Sequence, residues 1–303
     1  MEFNSVIHGE SIVKKYKGFE LNIPQLDIPR GFATALIGEN GAGKTTLLDI
    51  LAGIKLDYKG SLKFFDRFDD KDRENNPEVK MRIGYEGTGN YYLPMWTLRQ
   101  GREIQKLLFE NFDEAKYRDI CQKLAVPDDD NKKISELSDG NNMKLKLAGV
   151  LARDTDLLIL DEPASPLDPL MRDRLCEMIR EYIGGDQVVV DTEKSVLFST
   201  HNIADMETVT DYAIIVENGT IVEQGFVEDL KEKYILVKGE KEDEAAAAKV
   251  LYSITRGNYG FEGICLAEKL EELAGMNVVK ETPSLSQICV AVMKQNSKLY
   301  GVK

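Results

Sequence analysis

Residues 33–46 read ATALIGENGAGKTT: a short, mostly apolar run, Ala33–Ile37, enters Gly38, Glu39, Asn40, Gly41, Ala42, Gly43, Lys44, Thr45 and Thr46 without a break. Beyond it, Leu47, Leu48, Ile50 and Leu51 recur at helical spacing. Buried strand, glycine-rich turn and helix, in that order, are the setting of a P-loop. The glycines let backbone N–H groups turn inward around phosphate oxygens, and the start of the helix adds partial positive charge. Lys44 is expected to reach the terminal phosphates, and the Thr45 hydroxyl to face a magnesium ion. The loop by itself leaves its family open, because several classes of nucleotide hydrolase share it.

Two further strand ends complete the expected site. Leu157–Leu160 is a continuous apolar run, as in a parallel strand buried on both faces, and it ends in Asp161 and Glu162. Ligands bind at the carboxyl ends of strands in open α/β sheets. Asp161 there suits the magnesium shell, and Glu162 suits orienting or deprotonating an attacking water. Val196–Ser199 reads as another buried strand and delivers Thr200 and His201 to the same edge. His201 is placed to donate to a terminal phosphate. His8, the other of the two histidines, sits in a polar segment and is given a structural role.

Lys44 and Asp161 are 117 residues apart. That is too long for one crossover helix and implies an inserted subdomain, read as mostly helical over about 97–153. Near its end, Leu137, Ser138, Asp139, Gly140 and Asn141 precede an amphipathic helix, with Ser138 as its N-cap.

Composition narrows the setting. The chain has 303 residues, 39 Lys and Arg against 52 Asp and Glu, and a formal charge of −13. It can bury a substantial core, and its acidic balance argues against a general nucleic-acid binder, so no direct nucleic-acid partner is expected, although a local basic patch is compatible with it. No apolar run approaches the roughly 20 residues of a membrane span. The opening MEFNSVIHGE has no apolar signal core, so a cytoplasmic protein is expected. Cys121, Cys176, Cys265 and Cys289 lack the paired spacing of zinc sites and read as reduced, mostly buried thiols.

Over roughly residues 5 to 235 the sequence resembles the ATP-binding subunits of ABC transporters. The stretch LSDGNNMKLKLAGVLARDTDLLILDEPASPLDP is similar to that family's signature helix, Walker B strand, catalytic glutamate and D-loop in unbroken order, and FSTHNIADME places His201 at its switch histidine. Tyr16, 28 residues before Lys44, matches the aromatic residue that stacks on adenine. The resemblance implies ATP and magnesium as ligands and a RecA-like mixed sheet with an inserted helical subdomain and an antiparallel β edge. It also implies head-to-tail dimerisation, as a homodimer or with another ABC ATPase. Ser138 and Gly140 would then meet the terminal phosphate across the interface, and Asp168 of the D-loop would couple the two sites. Asp168 followed by Pro169 is also a good helix start. A transmembrane permease on a separate chain is the implied partner, at the inner face of the cell membrane.

Three departures stand out. Thr88 occupies the position where the family has a magnesium-binding glutamine, so slow basal hydrolysis is expected. Asp139 replaces a signature glycine and puts negative charge near phosphate. Residues 184–194, GGDQVVVDTEK, lengthen the link into the His201 strand. Tyr85, Tyr91, Tyr92, Leu93, Met95 and Trp96 form an aromatic and apolar cluster that reads equally as local packing or as a groove for a permease helix.

The expected division is a nucleotide-binding domain over 1–234 and a small α/β accessory domain over 235–303. In the latter, strands are expected at Tyr234–Val237 and Asn277–Val279, and helices at Glu242–Leu251 and Leu285–Met293. Asn218-Gly219 between apolar runs predicts a type I′ hairpin. Two functions follow: an ATP-hydrolysing subunit that energises a separate permease, or a soluble ATP-driven switch acting on another macromolecule. One domain and no sustained heptads favour the first.

Overall fold

The computed structural model describes residues 3–89, 92–184 and 194–297. In chain order its strands are β1 (Ser5–Tyr16), β2 (Phe19–Pro29), β3 (Ala33–Ile37), β4 (Lys59–Phe64), β5 (Phe68–Asp69), β6 (Ile83–Glu86), β7 (Leu157–Leu160), β8 (Ser195–Thr200), β9 (Tyr212–Glu217), β10 (Thr220–Phe226), β11 (Tyr234–Glu240), β12 (Tyr252–Arg256), β13 (Gly260–Leu266) and β14 (Val278–Glu281). The α-helices are α1 (Lys44–Leu51), α2 (Asp70–Asn75), α3 (Pro77–Arg82), α4 (Leu98–Leu108), α5 (Glu114–Lys123), α6 (Asp139–Leu151), α7 (Pro169–Ile183), α8 (Val227–Lys233), α9 (Glu244–Ala247) and α10 (Leu285–Asn296).

The central sheet has the order β10-β9-β3-β8-β7-β6. Its pairs are parallel from β9 through to β6, and β10 closes the edge antiparallel to β9. Both faces are buried, which is why its strands read as unbroken apolar runs. In β7, Leu158 and Leu160 enter the core shared with α6 and α7, whereas Leu157 and Ile159 enter a second core with α1 and the first two strands. A separate antiparallel sheet, β2-β1-β4-β5, covers that second core. The predicted hairpin has Asn218 at φ 50° and Gly219 at φ 80°, the left-handed pair that a type I′ turn requires.

Helices α4, α5 and α6 fill the stretch between β6 and β7, within the predicted 97–153 insertion. Ser138 caps α6: its hydroxyl accepts from the Asn141 N–H at 3.3 Å. The insertion at 184–194 lies, apart from Gly184 and Lys194, outside the described residues, as does Tyr91.

The region after residue 234 departs from expectation. It forms a third sheet, β12-β13-β11-β14, in which β12 and β13 were not anticipated. The helix expected over Glu242–Leu251 shrinks to the four residues of α9, because Val250 and Leu251 turn into the small core beneath this sheet. The division at 234/235 does not separate α10 from the cassette. Leu285, Ile288, Cys289, Ala291 and Val292 belong to the same core as β7, α6 and α7. Glu207 holds the start of α10, accepting from the backbone N–H of Leu285 at 2.8 Å.

Candidate functional site

Strands β3, β8, β7 and β6 lie side by side and parallel, so the segments that leave their carboxyl ends converge on one edge. β3 delivers the glycine loop, β8 His201, β7 Asp161 and Glu162, and β6 the segment that carries Thr88. Two glycines of the loop are required by geometry. Gly43 sits at φ 107° directly before α1, and a Cβ there would meet Phe19 Cζ at 2.9 Å. A Cβ on Gly38 would lie 2.4 Å from the Val216 carbonyl oxygen. Ala42 is buried in the core behind the loop, and Glu39 is exposed.

Lys44 is only 6 % exposed. Its ammonium donates to the carbonyls of Gly38 at 2.8 Å and Glu39 at 3.3 Å, and lies 3.3 Å from Glu162 Oε1. The Thr45 hydroxyl donates to Asp161 Oδ2 at 2.8 Å. The other Asp161 oxygen accepts from the Ser199 hydroxyl, and that hydroxyl in turn accepts from the Glu162 N–H at 2.9 Å. Glu162 is held at φ 52°, in the left-handed region, a strained backbone of the kind that persists only where the surroundings enforce it. Its Oε2 is 2.7 Å from His201 Nδ1.

An open cavity of ≈ 570 Å³ is lined by Asn40, Gly41, Gly43, Lys44, Thr45 and Thr46, together with Tyr16, Thr88 and Glu162. Tyr16 is 42 % exposed, and its ring lies 6.3 Å from the Phe19 ring, the two tilted by 33°. Phe19 and Lys55 also line the cavity. Sequence reasoning passed over both, although an aromatic three residues after Tyr16 was a usable signal for Phe19. It also passed over Ser199, whose signal was its place at the end of a buried strand. Lys55 carried none.

Ser138, Gly140 and Asp168 are not among the residues lining this cavity. Asp168 caps α7, accepting from the Met171 N–H at 3.1 Å. A Cβ on Gly140 would approach the Pro166 carbonyl oxygen to 2.9 Å, so the starts of α6 and α7 are close together. Ser138, Asp139 and Asp168 are exposed there. Among the described residues no group of three or more His, Cys, Asp or Glu side chains is arranged to hold a metal ion.

The end of β6 is gripped from both faces of the sheet. The Tyr85 hydroxyl donates to Asp49 of α1 at 2.6 Å, and Lys55 donates to the other oxygen of Asp49 at 2.7 Å. On the opposite face Glu86, with no exposed surface, pairs with Lys146 of α6 at 3.2 Å. Burial pushes the Glu86 carboxyl up to about 7, against the pull of Lys146. The predicted aromatic cluster divides. Tyr92 is buried and its hydroxyl accepts from Gln105 at 2.9 Å, whereas Leu93 and Met95 are exposed.

A phosphate-binding loop, two acids and a histidine gathered at adjacent parallel strand ends define a P-loop nucleotide-binding cassette. The profile of the family described as "ABC transporter" matches residues 21–165. The chain is similar to the ABC transporter ATP-binding protein NatA of Bacillus subtilis, with 30% identity over 211 residues that cover 68% of this chain and 82% of NatA. It is also 26% identical to the energy-coupling factor transporter ATP-binding protein EcfA1 of Staphylococcus epidermidis, over 75% of this chain and 84% of that one. Among solved structures, the ATP-binding subunit of an ABC transporter superposes with a TM-score of 0.63 at 20% identity, covering 75% of this chain and 92% of the other. A dimeric ATP-binding cassette in a post-hydrolysis state with ADP and Pi gives 0.60 at 17%, covering 73% and 98%. The chain belongs to the ABC transporter ATP-binding protein family, and is an ATPase subunit of that class.

Proposed function

We propose that this chain binds ATP with magnesium at the cavity beside Lys44, hydrolyses it as a head-to-tail dimer, and energises a membrane permease carried on a separate chain. The observation that carries the reading is the convergence of the Thr45–Asp161 and Glu162–His201 contacts on one loop-lined cavity. Tyr16 offers an exposed ring for the adenine, and the loop N–H groups and Lys44 bind the phosphates.

The donor set fits magnesium: one carboxylate and two hydroxyls, from Asp161, Thr45 and Thr88, are hard oxygen ligands that leave room for water and phosphate. Bound there, the ion neutralises charge on the phosphate oxygens. Ser199 orients Asp161 and holds the Glu162 backbone in place. Glu162 accepts a proton from water, and His201 fixes the direction of that carboxylate. Lys44 exchanges its Glu162 contact for phosphate when nucleotide enters, which frees Glu162 for the water.

Ser138 and Asp168 are exposed and Gly140 is half-buried, all three outside the lining of their own cavity, as residues that serve a partner's nucleotide must be. The cassette in the ADP- and Pi-bound relative is dimeric. A permease segment of apolar character suits the surface where Leu107 and Leu108 are exposed, next to a cavity of ≈ 220 Å³ lined by Tyr85, Tyr92, Phe109 and Val150 among others. Among the described residues no helix is long and apolar enough to cross a membrane; in the proposed assembly the permease supplies the span and this chain sits on the inner membrane face. Phosphate release from ATP and magnesium by the purified chain, abolished in Lys44→Ala, tests the enzyme. Recovery of a multi-span partner from detergent extracts tests the coupling, and recovery only with soluble assemblies would overturn it.

A further inference from the structure

Glu86 is a poor stabilising choice for its place. Its carboxylate is wholly buried, neither oxygen has a well-formed hydrogen bond, and its ion pair with Lys146 is the nearest compensation. Buried pairs of this kind recover little or none of their desolvation cost, and apolar residues of similar volume commonly serve stability as well or better. A role other than stability is indicated by what the pair joins. Glu86 ends β6, its carbonyl accepts from the Asp161 N–H at 2.8 Å, and Thr88 two residues later lines the nucleotide cavity. Lys146 sits in α6, the helix that begins at Ser138 and Gly140, and its ammonium also donates to the Gly87 carbonyl at 3.4 Å. The pair is therefore a direct polar tie, side chain to side chain and side chain to backbone, between the segment carrying Thr88 and the helix that presents the exposed patch.

We propose that Glu86 and Lys146 are a positioning pair that couples nucleotide occupancy beside Thr88 to the placement of the Ser138–Gly140 end of α6. On the other face of β6, Tyr85 and Asp49 link the same strand end to α1, directly behind the glycine loop. Movement of the loop or of Thr88 on ATP entry is thus transmitted to α6 through two short contacts rather than through loosely packed side chains. An ion pair suits the task because its energy depends on position over longer distances than a dispersion contact does. This inference rests on the dimer reading above and adds to it the residues by which one site reports to the other.

The test uses the full chain with three changes: Lys146→Met, Glu86→Gln, and the apolar double variant Glu86→Leu/Lys146→Leu. The double variant is included because each single change strands a buried polar group. ADP affinity is measured by titration on the monomer, and ATP-driven dimerisation is measured by light scattering in a Glu162→Gln background. Steady-state turnover gives kcat, KM and the Hill coefficient. The double variant is expected to bind ADP within about twofold of the parent, to need on the order of tenfold more ATP for dimerisation, and to lose cooperativity while kcat falls more than KM changes. A pair that merely holds the fold together predicts instead a double variant with parental dimerisation and Hill coefficient. That outcome overturns the proposal while the parent's own ATP-driven dimerisation stands. A parent that binds ATP but never dimerises overturns the dimer reading, and this inference with it.

Discussion

The Lys44 ammonium lies 3.3 Å from Glu162 Oε1, while the other oxygen of Glu162 lies 2.7 Å from His201 Nδ1. The carboxylate read as the general base is thus shared between the phosphate-binding lysine and the histidine. In the proposed site, phosphate and Glu162 compete for one ammonium group. Neutralising the glutamate removes the competitor and the base together. Glu162→Gln is expected to bind ATP at least as tightly as the parent, to hydrolyse it about 10²–10⁴-fold more slowly, and to accumulate as a dimer with ATP and magnesium. Light scattering of the nucleotide-loaded variant decides this, and a strictly monomeric profile at saturating ATP counts against a shared site.

The separation of Ser138 from its own cavity makes a complementation experiment decisive. Lys44→Ala removes the phosphate grip and Ser138→Arg obstructs the signature patch, so each homodimer should be inactive. A mixture still contains one intact pairing, the unaltered loop of one protomer against the unaltered patch of the other. At equal amounts about half of all dimers are mixed and each keeps one intact site of two, so phosphate release should recover to roughly a quarter or less of the parent's rate, and up to about tenfold above either variant alone. No recovery over the separate variants would place the serine in cis.

Thr88 is exposed at the cavity and offers one hydroxyl where a glutamine would reach further. Thr88→Gln is expected to raise basal ATP turnover several-fold, within the roughly tenfold that 1.4 kcal/mol of transition-state stabilisation represents. Steady-state phosphate release checks it, and a fall in rate sinks the idea.

Much of this site could be read from the letters. β3 and β7 run over the residues expected, because strands buried on both faces leave unbroken apolar runs and the glycine loop marks where one of them ends. Asp161, Glu162 and His201 followed from strand ends read together with the glycine loop. The tail was harder. The alanine-rich 245–248 stretch has high helix propensity, yet α9 covers four residues, since packing of Val250 and Leu251 outweighs a local preference of a few tenths of a kcal/mol per residue. β13 carries Gly260 and Gly263, which weaken a strand signal although the strand lies at the centre of its sheet. Ser199 and the Glu86–Lys146 pair depend on contacts between residues 38 and 60 positions apart, which no local pattern encodes.

Ile288 is fully buried in the core that also holds β7 and α7. Ile288→Ala is expected to destabilise the whole cassette by about 2–5 kcal/mol, as large-to-small changes in well-packed cores do. Urea denaturation followed by a probe at Trp96 should shift with the global transition. A loss confined to the third sheet would show that α10 belongs to an independent unit.

The His8 and Asp27 side chains meet at 2.7 Å on β1 and β2. The hydrogen bond to Asp27 is the main cause of the raised imidazole pKa. Burial alone would lift the Asp27 carboxyl, but hydrogen bonds from His8, Gln25 and Ser5 hold it below its ordinary value. The histidine's contribution is complete below its unfolded pKa of 6.5 and fades as pH rises through the higher folded value. The aspartate's contribution is complete above 3.8 and fades as pH falls through the lower folded value. The pair is only partly buried, and solvent screening keeps its worth under about 1 kcal/mol. His8→Asn should therefore cost stability at pH 5.5 and almost none at pH 9, measured as the difference between urea midpoints. A loss that grows with pH has the wrong sign.

The seating of α10 against the catalytic half of the molecule also bears on biosynthesis. While a nascent chain is still shorter than residue 285, the wall that this helix covers is wet and apolar, and the glycine loop already outside the ribosome rests on an unfinished scaffold. Enzymatic competence should then arrive late and abruptly during translation, at the moment this helix docks.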